Sequence, residues 1–370
     1  VISGGKAQIT GHFSDEEVTE LAMLIRGGAL PVGLKEVQTS LVGPSLGIDS
    51  LNMSLTAGVI GIGLILIMML VLYKIIGLIA NVALLLYILV VFWVLAIFSA
   101  VLNLPGIAGL ILSIGMAVDS NVIIFSRIKE ECMVGGKSLR VAVDSGFHRA
   151  LSTIIDSQLT TMLAGVILYQ FGSGPVKGFA LTLMIGIVVS VMTAVVVTQF
   201  LIKTMVETKS LAKLKLFGFD KPRFQFQKEF NFIKYRKIFY LVAVALIVAG
   251  IGTGMLRGFN WGIDFTGGTM MQFEMGKRVQ VADVEKVLKD NDIDGTIVHA
   301  GEGNTQIIIK TTQSLENEER NILFEDIYET FGIGESNLLA VEQFSASVGS
   351  LLKMNAFKAL LIATIGMLVY

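Results

Sequence analysis

Apolar positions along this chain fall mostly in long unbroken runs. Between the runs the pattern changes to the two-residue alternation of strands or the three-to-four-residue spacing of surface helices. Seven runs stand out: residues 55–73, 75–101, 105–125, 151–171, 179–202, 238–256 and 356–370, the last incomplete. A run of about 20 apolar residues is enough to span the roughly 30 Å hydrocarbon core of a bilayer. The pattern therefore predicts six transmembrane helices and the start of a seventh, with Pro105 well placed for the first turn of the third.

The polar stretches predict folded soluble units. Residues 6–13 (KAQITGHF) alternate like a strand. Ser14 and Glu17 have the spacing of a capping box for a helix over 15–26, which stops at Gly27-Gly28, and 34–42 reads as another strand. Residues 1–50 are thus expected to be the tail of one α+β domain. Between the sixth and seventh runs, strands are predicted over 269–275, 296–300, 306–311 and 338–344, and helices over 281–291 and 316–331. The order β-α-β-β-α-β is that of a ferredoxin-like domain, with bounds 257–346. The motif Leu41-Val42-Gly43-Pro44-Ser45-Leu46 before the first run is echoed by Ser347-Val348-Gly349-Ser350-Leu351-Leu352 before the seventh. A strand, Val-Gly and then a membrane helix in both places is the kind of repeat seen in transporters. Both ends of the chain read as cuts through a longer protein.

Composition sharpens this. The 370 residues are 53% hydrophobic and 16% charged, with mean hydropathy +0.72; a soluble domain carries about 25% charged residues. The net charge of −1 gives no electrostatic case for a nucleic-acid partner. Cys132 alone excludes an intrachain disulfide, and His12, His148 and His299 show no metal-ligand spacing. Basic residues set the orientation. Arg127, Lys129, Lys137, Arg140 and Arg149 lie in one inter-helix segment, and ten basic residues lie in 203–237 against Glu207, Asp220 and Glu229. Both segments, including an amphipathic stretch 139–150 within 127–150 and the linker 204–237, are expected on the cytoplasmic side. Helices 51–203 and 238–256 then place 1–50 and 257–346 outside, and 347–370 begins the next helix.

The candidate chemistry lies in the membrane. Asp119 sits in LSIGMAVDSNVIIF, roughly two turns from Arg127. An ionised carboxylate at that depth costs on the order of 2.5–3.5 kcal/mol, so it must pair with a cation, bond hydroxyls such as Ser113 or Ser120, or take a proton. Burial favours the protonated form, which suits a group that gains and loses a proton as water access changes. Gly106, Gly109 and Gly115 on the same run permit close helix packing. Asp156 leads a polar stripe with Ser152 and Thr160, flanked by Ser157 and Thr161, and is either part of a polar route or simply solvated. Asp144, in the amphipathic stretch, can serve proton uptake or pair with Arg140 or His148. The segment 259–270 (FNWGIDFTGGTM) predicts a tight turn at Gly267-Gly268 that Asp264 can cap. No Walker A motif is present, so the energy source is expected to be a partner or an ion gradient, with no cofactor.

These motifs identify a family. LPGIAGLILSIGMAVDSNVIIFSRIKEE, AVDSGFHRALSTIIDSQLTT and FGSGPVKGFALTL resemble the fourth and following helices of SecD. SGGKAQITGHFS and VGPSLG resemble the end of its large periplasmic domain, and WGIDFTGGT, with Gly262, Asp264, Gly267 and Gly268, resembles the signature that opens the periplasmic domain of SecF. Together they resemble a fused SecD/SecF protein of the resistance-nodulation-division (RND) superfamily. The resemblance implies a polytopic α-helical membrane protein with an RND-type transmembrane bundle and α+β ferredoxin-like extracytoplasmic domains. It implies a proton-driven auxiliary subunit of the Sec translocase, not an enzyme, in the bacterial cytoplasmic membrane. Implied partners are the channel proteins SecY, SecE and SecG, then YajC and the insertase YidC, with an unfolded preprotein as substrate. By the same resemblance Asp119, Asp144 and Asp156 fall at proton-relay positions. Gly33 stands where the family usually has proline, and Ser120 and Ser157-Gln158 replace the usual Ala and Ala-Asn. The cationic partner of Asp119 is expected in helices beyond Tyr370. Two alternatives remain: an RND-type exporter of small molecules or lipids, which would want larger soluble domains, and an intramembrane aspartyl protease using Asp119 and Asp156, which would want Gly-x-Gly-Asp rather than Ala117-Val118 before Asp119.

Overall fold

The computed structural model describes residues 37–208, 232–259 and 261–370, with Ala22 and Phe217 as isolated positions. The strand over 6–13, the Ser14–Glu17 capping box, the helix over 15–26, Gly33 and most of the basic linker lie outside the described residues. Gln38–Tyr370 forms one unit, distinct from residues 1–37.

Among the described residues, six helices are long and apolar enough to cross a membrane. Helix α1, Pro44–Ile97, has 54 residues, about 80 Å of helix if straight, far more than one crossing needs. It reverses at Lys74, whose φ of 52° and ψ of −122° leave the helical region. Beyond that point the chain doubles back: Asn81 Nδ2 donates to the Leu66 carbonyl at 3.0 Å. Gly77 lies so close to Met69 that a Cβ there would sit 2.0 Å from its carbonyl oxygen. The legs 44–73 and 75–97 make six helices into the seven apolar legs that the pattern predicts.

Helix α2, Leu104–Met133, starts with Pro105 in its first turn and Asn103 accepting from the Gly106 N–H. Helix α3 is Leu139–Phe171. Helix α4, Gly174–Met192, runs through a π-helical segment, Thr193–Thr198, into α5, Gln199–Glu207. Helix α6 is Arg236–Arg257. One expectation is revised here. The amphipathic stretch 139–150 is not a separate surface segment but the first turns of α3, an unbroken 33-residue helix. No proline interrupts it, and Gly146 serves close approach rather than a break, since a Cβ there would meet Ile128 at 2.8 Å.

Between the last two apolar legs lie α7 (Ile263–Thr266), β2 (Gly268–Glu274), α8 (Val281–Asp290), β3 (Gly295–Ala300), β4 (Gln306–Thr311), α9 (Asn317–Phe331) and β5 (Leu338–Phe344). The strands form the ferredoxin-like order β5-β2-β4-β3, with every neighbouring pair antiparallel. One face is covered by α8 and α9. Val284, Val287, Leu323 and Ile327 pack there on Met271, Phe273, Ile307 and Ile309, and Phe324 meets Phe273 edge-on at 5.7 Å. Asp283 in the first turn of α8 and Lys289 in the last match the helix dipole. A capping box of Glu316 with Glu319 starts α9, and Gly332 in the left-handed region ends it.

A second revision concerns the strand before the first helix. Its described part, β1 (Gln38–Val42), pairs antiparallel with β5, Gln38 opposite Phe344 and Val42 opposite Ala340. It is therefore the fifth, edge strand of the 257–346 sheet rather than part of a separate domain. Helix α10, Ala346–Val369, follows β5 directly. It starts before its apolar run because Ser345 caps it, accepting from the Val348 N–H at 3.4 Å.

Candidate functional site

Helix α2 sits among its neighbours with two unlike faces. On the covered face each polar group meets a partner. Thr182 Oγ1 donates to the Gly106 carbonyl at 3.0 Å, and Tyr87 Oη donates to Ser113 Oγ at 2.8 Å. Gln158 Nε2 donates to Ser120 Oγ at 3.4 Å, and Thr198 Oγ1 donates to Asn121 Oδ1 at 2.9 Å. The α2–α4 contact depends on missing side chains: a Cβ on Gly109 would lie 2.4 Å from Thr182 Oγ1, and one on Gly186 would lie 2.4 Å from Ser113 Cβ. At the end of α2, Glu131 is only 6% exposed and is clamped by Lys137 at 2.6 Å and Arg149 at 2.7 Å.

The opposite face is open. Leu104, Ala108, Ile111, Gly115, Asp119 and Ser126 recur at helical spacing and are all exposed. Asp119 is the only acid among those six, and a Cβ on Gly115, one turn away, would meet nothing within 4 Å. Ser113 and Ser120 are engaged on the covered face, so they do not neutralise Asp119.

The other sequence-predicted acids have separate surroundings. Asp156 is exposed on α3 and accepts from Tyr370 Oη at 3.2 Å. Helix α10 passes there, with Leu163 side-chain carbons 3.2 Å from where a Cβ on Gly366 would stand. Thr160 and Thr161 turn their hydroxyls back to the carbonyls of Asp156 and Ser157, at 2.9 and 3.1 Å, so much of that stripe is satisfied within its own helix. Asp144 pairs with neither Arg140 nor His148. Its partner is Lys203 Nζ at 2.9 Å, while Arg140 reaches Glu207 at 3.6 Å. Among the described residues no hydrogen bond joins the three acids, and no group of His, Cys, Asp and Glu could hold a metal ion.

The signature loop forms a junction. Gly267 and Gly268 take φ of 77° and 128°, which favour glycine. A Cβ on Gly267 would come within 2.8 Å of Ala346 Cα, and one on Gly268 within 2.1 Å of the Thr311 carbonyl oxygen. Gly349 in turn lies against the Gly267 nitrogen. Gly262 stands at the start of α7, which has no side-chain cap; Asp264 lies inside its first turn rather than capping the loop. Burial pushes the Glu342 carboxyl above its ordinary range, and the negative charge of Asp264 adds to this. Trp261 stacks edge-on with Phe265 at 5.7 Å and receives Lys353 Nζ over its ring at 4.6 Å.

Sequence reasoning missed Lys203, the Glu131 clamp and Tyr370. The clamp alone had a signal: two adjacent acids closing a membrane helix, with cations in the next turn and helix.

A family model described as "Protein export membrane protein SecD/SecF, C-terminal" matches residues 30–208. A "SecD/SecF GG Motif" model matches 256–277, and a "SecDF, P1 head subdomain" model matches 1–32. The protein translocase subunit SecDF of Bacillus subtilis is 36% identical over 382 residues, covering 98% of this chain and 51% of that protein. SecD of Calditerrivibrio nitroreducens is 47% identical over 215 residues, covering 58% of this chain and 41% of that one. The crystal structure of SecDF from Thermus thermophilus, described as a translocon-associated membrane protein, superposes with a TM-score of 0.79 at 33% identity, over 100% of this chain and 50% of that one. The chain thus spans about half the length of the relatives it matches end to end.

Proposed function

Because this chain belongs to the SecD/SecF protein-export membrane protein family, we propose that it forms part of a proton-driven subunit that assists the Sec translocase in moving polypeptides across the bacterial cytoplasmic membrane. The observation that carries this reading is Asp119, an acid on an open stripe of small and apolar residues along a transmembrane helix. Lipid does not tolerate an ionised carboxylate on such a face at membrane depth. A face of this kind suits a second helical surface with a cation, against which Asp119 alternates between pairing and protonation.

Lys and Arg enrichment supports placing 127–149 and 203–237 in the cytoplasm and the ferredoxin-like domain outside. There the domain would meet the emerging polypeptide. The energy source is the proton gradient, with no cofactor. The partners are the channel of SecY, SecE and SecG, and by family likeness YajC and YidC. Asp144 at the cytoplasmic mouth and Asp156 midway along α3 extend the route.

The test is Asp119→Asn in the full-length protein. It should abolish stimulation of export by the proton gradient while the protein still accumulates in the membrane. Export that keeps its response to the gradient refutes the assignment.

A further inference from the structure

The helix that runs from Gly174 to Glu207 touches both α2 and the first turns of α3, close together along its length. Thr198, fully buried, donates to Asn121 Oδ1 at 2.9 Å, two positions past Asp119 on α2. About one and a half turns further, Lys203 Nζ lies 2.9 Å from Asp144 Oδ1 on α3. The π-helical segment Thr193–Thr198 comes just before. A π-turn holds one residue more than an α-turn. Were the same residues wound as α-helix, everything after them would rotate by about 100°, and Lys203 would leave Asp144. The π-segment is thus the register that lets one helix hold both neighbours.

We propose that Lys203 is a positioning residue of the proton route, holding the Asp144 carboxylate at the cytoplasmic mouth in a register fixed by the π-helical segment. The inference rests on the proton-relay reading above. Among the described residues, the other charged or titratable groups near Asp144 are Arg140 and His148 on the flanking turns of α3 and Glu207 on α5. Arg140 is engaged by Glu207, which leaves Lys203 as the ion-pair partner.

The experiment is export by the full-length protein in membrane vesicles, measured with and without a proton gradient. Lys203→Met should cut the gradient-dependent part of export several-fold and leave the gradient-independent part in place, because the carboxylate is no longer held by its cation. Lys203→Arg should keep both parts. Lys203→Gln, which keeps a polar chain without charge, guards against a Met variant that fails to fold, and should show the same selective loss. An equal loss of both parts in the charge-free variants, no loss at all, or a Lys203→Arg variant that fails as Lys203→Met does, overturns the proposal. Asp144→Asn separates the two ideas. If it leaves export unchanged, the relay reading fails at this acid. If it abolishes export while Lys203→Met is silent, only the positioning role fails.

Discussion

The two faces of α2 both carry small and polar residues but use them differently. Toward its helical neighbours, glycines such as Gly109 bring backbones together and the polar groups are answered: the Gly106 carbonyl by Thr182, Ser113 by Tyr87, Ser120 by Gln158, Asn121 by Thr198. On the open face, Gly115 touches nothing and Asp119 is exposed. In a bilayer, a satisfied polar group specifies packing, whereas an acid on an uncovered face marks function. The same residue types are therefore packed and answered on one side and left uncovered on the other.

The contrast can be broken by substitution. Gly109→Leu should be the most damaging to folding. Its side chain has no room beside Thr182 and Phe179, and overpacking of this kind costs about 1–3 kcal/mol or more, seen as a large fall in Tm in detergent. Gly115→Leu should leave Tm unchanged yet impair gradient-driven export. A fall in Tm equal to that of Gly109→Leu would erase the distinction between faces. Glu131→Ala removes the carboxylate that holds Lys137 and Arg149 and should lower Tm less than Gly109→Leu, since both cations reach solvent once it is gone. Thr198→Val should cost about 1 kcal/mol, with Thr198→Ser close to neutral, measured the same way.

The smallest effect concerns the ferredoxin-like unit. A carboxyl raised by folding favours the folded state below its ordinary range, and that advantage is lost as pH rises through the folded value. Glu342 is such a group. Asp264→Asn should therefore raise Tm slightly at neutral pH and have less effect in acid, where the Glu342 carboxyl is protonated and no longer meets a like charge. An equal gain at both pH values would place the effect elsewhere.

Much of this architecture is legible in the sequence because its signals are local. The apolar runs mark the legs, Lys74 marks the reversal between the first two, and alternation marks the strands of the ferredoxin-like unit. Asp119 stands out as an acid in an apolar run. What was not legible is relational. Helical spacing puts Asp119 and Gly115 on one stripe but does not say which stripe a neighbour covers. Lys203 reaches Asp144 only through the π-segment, which no residue type announces. Strand β1 alternates as any edge strand does, and nothing local names β5 as its neighbour.

That strand has a consequence in time. β1 and β5 lie about 300 residues apart, so at 5–20 residues per second a ribosome delivers the second roughly 15–60 s after the first. For that interval β1 lacks its β5 neighbour, and its Leu41 and Val42 are more than half exposed even in the finished sheet, a segment open to wrong pairing. Completion of the five-stranded sheet is thus a late event in the synthesis of these residues. It can follow only after six of the seven described apolar legs have been made, and it joins the first described strand to the last.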